Sequence, residues 1–283
     1  MAQVTILPHG MTAAIVSDHV RSPGIKQSVA GWSQSSTRSN VRFLRSVLVD
    51  DLTGIGLTFT LTVRDTPSSA DDWHKVRRAF IERLRRMGLI RLHWLTEWQR
   101  RGAPHLHGMA YFPEPPDGSR LPDLVGAWLG AAGQYGPAFH CQTVRPIFDQ
   151  VGWHKYLAKH SARGLHHYQR ASTTIPKGWK SKTGRMWGKI GGWPTGPEIL
   201  ADIPLNQFYW VRRIYKRWRL ADARSSRTGP ARTRGILSAR GYLQAPEKLS
   251  RVIGLSEWDD LDPYAVLEAS AVLSLARDRK SVV

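Results

Sequence analysis

Residues 97–112 read Glu97-Trp98-Gln99-Arg100-Arg101-Gly102-Ala103-Pro104-His105-Leu106-His107-Gly108-Met109-Ala110-Tyr111-Phe112. Two histidines separated by one apolar residue, inside an apolar run, read as a β-strand whose two-residue period puts both imidazoles on one face. Upstream, Leu89 to Trp98 alternates as a second strand, with Ile90, Leu92 and Trp94 on one side and Arg91, His93, Leu95 and Glu97 on the other. Gly102 and Pro104 supply a turn between them. A hairpin that sets Glu97 opposite His105 would bring the carboxylate onto the surface holding both imidazoles, because opposed residues share a face. His105, His107 and Glu97 are therefore candidate ligands for one metal ion, with coordination positions left open for a substrate. The plain alternative is an exposed or internally hydrogen-bonded strand in which His-x-His has no such role.

The chain of 283 residues carries 41 Lys plus Arg against 22 Asp plus Glu, a formal charge of +19 with a pI near 10.7. Such an excess points to nucleic acid or an anionic membrane surface as partner. No apolar run approaches the ~18 residues of a spanning helix, and the N-terminal residues lack a signal-peptide core, so the expectation is a soluble, intracellular protein. A single cysteine, Cys141, excludes an intramolecular disulfide and any multi-cysteine zinc site. The twelve tryptophans are many for this length, and aromatics interleaved with arginine also suit stacking on exposed bases.

Around the hairpin the chain orders itself as follows. Residues 1–40, rich in Ser, Gly, Thr and Gln, read as a mobile arm with at most a short strand near Val4–Leu7. The folded domain spans 41–200. It opens on a strand, in which Ile55, Leu57, Phe59, Leu61 and Val63 alternate with Thr58, Thr60 and Thr62 and leave one polar, open face. A helix follows from Asp71, with Trp73, Val76, Phe80, Leu84 and Met87 at helical spacing and a basic opposite side of Lys75, Arg77, Arg78, Arg83, Arg85 and Arg86. Those cations read equally as a solvated face or as phosphate contacts. Leu124–Ala132 reads as a helix, Phe139–Val144 as a strand, and Gln150–Arg163 as a helix ending at Gly164.

On that last helix a wheel places Val151, Trp153, Leu157 and Ala158 on one side and Tyr156, Lys159, His160 and Arg163 on the other. Gly152, one turn before Tyr156, leaves the polar stripe sterically open. Residues 201–283 read as a basic helical region, in which Arg212–Arg240 holds ten Lys or Arg and one acid, Asp222, as a flexible segment. A closing helix is signalled by Asp262-Pro263.

Three stretches in this order, Leu57-Thr58-Phe59-Thr60-Leu61-Thr62, Pro104-His105-Leu106-His107 and Tyr156-Leu157-Ala158-Lys159, resemble the motifs of rolling-circle replication initiators of the two-histidine (HUH) endonuclease superfamily, of plasmid and filamentous-phage type. Gly184-Arg185-Met186-Trp187-Gly188 is similar to a stretch that follows the tyrosine helix in such proteins. The resemblance implies an α+β fold, an antiparallel sheet with helices on one face as in RNA-recognition domains, with the metal site on the uncovered face. It implies a DNA endonuclease and strand transferase in which Tyr156 attacks a phosphodiester of single-stranded origin DNA. The products would be a 5′-phosphotyrosine and a 3′-hydroxyl primer, with religation afterwards. Free tyrosine has a pKa of about 10, so the attack needs charge stabilisation, which Lys159 could supply. Glu97, His105 and His107 would hold Mg²⁺ or Mn²⁺, since phosphodiester chemistry and the family favour these ions.

No second tyrosine follows within two helical turns of Tyr156, since Tyr168 lies beyond Gly164, and no phosphate-binding loop is present. Unwinding and synthesis would then fall to a host helicase and polymerase in the bacterial cytoplasm. A conjugative relaxase or single-tyrosine transposase would use the same three elements. A basic DNA-binding protein without enzymatic activity is the alternative of a different class.

Overall fold

The computed structural model describes residues 1–16, 31–114, 121–161, 167–169, 172–179, 183–226, 228–241 and 254–280. In chain order the elements are β1 (Ala2–Leu7), β2 (Gly10–Ile15), α1 (Gln34–Ser46), β3 (Ile55–Thr62), α2 (Ala70–Arg86), β4 (Arg91–Trp98), β5 (Pro104–Phe112), α3 (Leu124–Ala132), β6 (Thr143–Pro146), α4 (Gln150–Ser161), β7 (Trp187–Gly191), β8 (Ile199–Ile203), α5 (Leu205–Ser225), α6 (Gly229–Gly241), β9 (Gly254–Glu257) and α7 (Pro263–Lys280). They form two compact units, one of residues 25–195 and one of residues 1–24 with 196–283. The fold is α+β with antiparallel sheets.

The larger unit is built on a five-stranded sheet in the order β6-β3-β5-β4-β7. The two strands expected from alternation, β3 and β4, flank β5 on either side, so the His-x-His strand is central. One face carries Leu57, Phe59, Leu61, Leu92 and Leu106, all buried, and is covered by α2 and α3. Phe80 meets Phe59 and Trp128 edge-on, and Trp73 meets Trp128 the same way. Helix α2 starts where its cap demands, Ser69 accepting from the Asp72 amide, and ends at Gly88, whose φ is +87°.

Much of the basic side of α2 is occupied locally. Lys75 pairs with Asp72, Arg85 with Glu82, Arg83 donates to the Gly130 carbonyl, and Arg77 lies 3.8 Å from the centre of the Trp94 ring.

The other face of the sheet, expected to be open, also carries helices. His93 on this face donates from Nε2 to Asn40 Oδ1 of α1 (2.7 Å) and stacks on Phe43, while Tyr111 donates its hydroxyl to Gln150 at the start of α4. Polar groups on the sheet thus anchor two helices, one of which, α1, no apolar pattern announced. The expected strand at Phe139–Val144 is displaced to β6 at Thr143–Pro146.

The smaller unit corrects the reading of the chain ends. Residues 1–16, expected as a mobile arm, form the β1–β2 hairpin of a four-stranded sheet in the order β8-β1-β2-β9. Ala2, Val4, Ile6, Met11 and Ala13 face a core with Phe208, Val211, Tyr215, Leu255 and Val266. Their partners lie nearly the whole chain away, so no local pattern could reveal them. Residues 17–30 lie outside the described residues. Arg212–Arg240, expected as flexible, is likewise ordered, in α5 and α6, with residue 227 outside the described residues. Only Gly235 and Ala239 of α6 are buried, and so small a contact leaves no hydrophobic period to read.

Burial pushes the His93 imidazole down to about 3, with the charges of His154 and Lys189 adding to the effect. An unfolded histidine takes up its proton near 6.5, so between these values the unfolded chain binds more protons than the folded one. Stability should therefore be complete above about 6.5 and fall as pH drops toward 3, at roughly 1.4 kcal/mol per pH unit. Urea unfolding of the parent and of His93→Gln between pH 7 and pH 5 measures this contribution. The variant should lose that part of the acid slope, and parallel curves would assign the slope to other groups.

Candidate metal centre and flanking tyrosine

The β4–β5 connection is short because Gly102 closes it. The Gln99 amide donates to the Ala103 carbonyl (2.8 Å), the Gly102 amide donates back to Gln99 (2.9 Å), and Gly102 takes φ +82°, where a side chain would be strained. The turn sets the register at Glu97 opposite His105 and Leu95 opposite His107. On the other side β3 places Thr62 opposite His105 and Thr60 opposite His107. Glu97, His105 and His107 come together as expected, each offering a ligand atom within 4.8 Å of the others. Glu97 and His107 are buried and His105 half-buried.

The donors converge without closing on one another. His107 Nε2 stands 3.4 Å from Glu97 Oε2, longer than a charge-assisted hydrogen bond of about 2.8 Å. The two imidazoles lie with ring centres 4.2 Å apart and planes at 85°, so their nitrogens approach from different directions. Two nitrogens and a carboxylate oxygen from two adjacent strands form a donor set that fits a divalent cation with positions left open.

Two residues that sequence reasoning did not single out orient this set. Thr60 Oγ1 lies 2.8 Å from His107 Nδ1. With Nδ1–H donating to that hydroxyl, the Nε2 lone pair is turned toward the cluster, as a metal-binding histidine requires. Gln169 donates from Nε2 to Glu97 Oε2 (3.0 Å), and its carbonyl accepts from the Trp98 amide (3.2 Å). Both partners are distant in sequence. The polar side of the threonine strand was the one signal that could have pointed to Thr60.

Tyr156 projects from α4 with its ring centre 6.3 Å from that of His107, and it is 39% exposed. Its neighbour Trp153 is not on the buried side with Leu157 as the wheel implied. It stacks on Tyr156 at 4.7 Å and 23°, and His154 is buried with Leu157 and Ala158 instead. Gly152 has a different purpose from that expected: its amide takes the capping bond from Asp149 (2.8 Å), and an added Cβ would lie 2.0 Å from the Asp149 carboxylate. Lys159 belongs to α4, but its side chain lies outside the described residues. Tyr168 stands apart from α4, beside Arg100.

Residues 56–176, which contain all three motifs, match the model of the ORF2-type replication-associated protein family. The chain is 50% identical over 238 residues to a replication-associated protein of Pseudomonas phage Pf3, covering 84% of each chain. Two Xylella fastidiosa proteins, whose names call them putative replication proteins, are 44% and 43% identical over 92% and 93% of this chain and 100% and 93% of their own. No solved structure matches the chain. With half of the aligned residues identical to the Pf3 protein across most of both chains, this chain belongs to the ORF2-type family of replication-associated proteins.

Proposed function

We propose that this protein initiates phage or plasmid replication by nicking single-stranded origin DNA with Tyr156, beside a Mg²⁺ or Mn²⁺ held by Glu97, His105 and His107. The observation that carries the reading is the nearness of a half-exposed phenol to a largely buried triad of two imidazoles and a carboxylate. The names of the relatives, replication proteins of a phage and of Xylella fastidiosa, support the replicative setting.

In this reading the Tyr156 hydroxyl loses its proton and attacks phosphorus. The bond to the 3′ oxygen breaks, and that oxygen takes up a proton to leave a 3′-hydroxyl primer. The 5′ end stays bonded to the tyrosine until a new 3′-hydroxyl attacks it and restores the phosphodiester. When bound, the cation would polarise a non-bridging phosphate oxygen. Thr60 and Gln169 hold His107 and Glu97 in orientation, and Trp153 fixes the plane of the attacking ring. Lys159 assists as a nearby cation. Host enzymes in the bacterial cytoplasm would unwind and copy the template.

Tyr156→Phe keeps the ring and its stacking but removes the attacking oxygen. Incubation with origin single strands and Mn²⁺, followed by peptide mapping, should find the nucleotide on Tyr156 in the parent and no adduct in the variant. An adduct on Tyr168, or full yield from Tyr156→Phe, would overturn the assignment. Lys159→Ala should slow the step by about 10², the effect of losing one charge-stabilising group.

His105→Ala with His107→Ala should abolish most Mn²⁺ binding in a titration followed by electron paramagnetic resonance, while DNA binding persists. Nicking by this double variant at the parental rate would remove the triad from the chemistry.

The basic helices can be tested without deletion, since α5 contributes to a core. Arg232 and Arg234 are exposed, and Arg232→Gln with Arg234→Gln should leave the fold intact. If both meet phosphates, the slope of log K against log salt on single strands should flatten by about 1.4, that is ~0.7 for each guanidinium neutralised. An unchanged slope would make these cations solvated surface.

A further inference from the structure

Next to the metal-ligand cluster lies an open pocket of about 420 Å³, lined by the β4–β5 turn at Gln99, Arg100 and Arg101, by His105, and by Tyr168 and Gln169. Its size is that of a small-ligand site. One wall is braced. Arg101 donates to the carbonyls of Val63 and Arg64 and to Gln99 Oε1, and Gln99 donates to Thr62 Oγ1 (2.7 Å). The opposite wall is tied to the metal-ligand strand through the two hydrogen bonds of Gln169 described above, so Tyr168, one residue before it, is held at a set place beside Glu97.

The chemistry of the lining is selective. Tyr168 leaves 36% of its surface in solvent, and the Arg100 guanidinium lies 5.1 Å from its ring centre. None of the lining side chains is a carboxylate, whereas two are guanidinium groups. A planar ring, a planar cation and net positive charge around a small pocket match one nucleotide, its base stacking and its phosphate meeting the cation. A tyrosine placed only for packing would bury its ring, and one placed as a nucleophile would be expected beside α4.

We infer that this pocket seats one nucleotide of a single DNA strand, its base stacked on Tyr168 and its phosphate against Arg100, next to the phosphate presented at Glu97, His105 and His107. The place of that nucleotide beside the cleaved bond rests on the proposed nicking reaction, but its binding does not. Tyr168 is then a binding residue, which accounts for a second tyrosine near the centre without a second covalent step.

The test uses the full chain in EDTA, where no cleavage occurs, with a short oligothymidylate carrying 5-iododeoxyuridine as probe. Irradiation and peptide mapping should find the crosslink on Tyr168. By fluorescence anisotropy Tyr168→Ala should bind the unmodified oligothymidylate roughly tenfold more weakly, the usual loss of one stacked base, whereas Tyr168→Phe should stay within about twofold. Arg100→Gln should weaken binding most at low salt. Parental affinity in Tyr168→Ala, or a crosslink that never falls on Tyr168, would overturn the inference. Should the alanine variant misfold, the crosslink on the parent and the affinities of Tyr168→Phe and Arg100→Gln still decide it. Failure of Tyr156 to form an adduct would count against the nicking reaction and leave these binding results standing.

Discussion

The register of β5 between its two neighbours is the constraint on which the site depends. A strand has a side-chain period of two, so a slip of one residue against β4 would turn either the carboxylate or both imidazoles to the opposite face. The turn closed by Gly102 excludes that slip on one side, and the pairing of Thr60 with His107 excludes it on the other. Because the histidines lie on the central strand, both neighbours contribute to their surroundings: β4 brings Glu97, and β3 brings the hydroxyl that turns His107. Donors fixed by ladder hydrogen bonds on two sides need little reorganisation when a ligand arrives.

Such a site needs a polar patch on a sheet face that also holds packed helices. The structure reconciles the two by pairing the polar groups with helix side chains. His93 binds Asn40, Tyr111 binds Gln150, and the imidazole of His93 is kept neutral by its burial. These contacts are directional, so they fix where α1 and α4 sit more narrowly than an apolar face would. The second of them lies at the first residue of α4, and Tyr156 follows from it within two helical turns. The position of the phenol near His107 is thus a consequence of polar pairing on the same sheet face that bears the donors.

What could be read from the sequence follows the separation of the partners. Glu97, His105 and His107 were legible because strand periodicity and a short turn are local, and Tyr156 because a helical wheel needs only its own residues. The wheel assigns directions but not neighbours, which is why Trp153 was placed with the core although it stacks on the tyrosine. Thr60 and Gln169 act on residues 47 and 72 positions away, and only pairing in three dimensions shows what they orient. The β1–β8 pairing joins the first residues to the neighbourhood of residue 200, so Ala2, Val4 and Ile6 looked like part of an arm when they are core. Helix α6 was missed for the opposite reason: its contact consists of Gly235 and Ala239, too small to mark a face.

The centre also separates two physical demands. A metal-binding donor benefits from burial, where its geometry is fixed and competing water is excluded, and Glu97 and His107 are buried accordingly. A side chain that must meet a polymer cannot be buried, and Tyr156 and Tyr168 are both open to solvent. Exposure leaves a long phenol free to turn, and each tyrosine is restrained by a planar neighbour, Trp153 for one and Arg100 for the other. Stacking limits rotation without covering the hydroxyl or closing the approach. A strand laid across this face would meet one ordered ring on the α4 side and another beyond His105, with the buried donors between them. On this arrangement the strand is gripped through rings at the surface, while the chemistry of its phosphate is set by groups the strand never displaces.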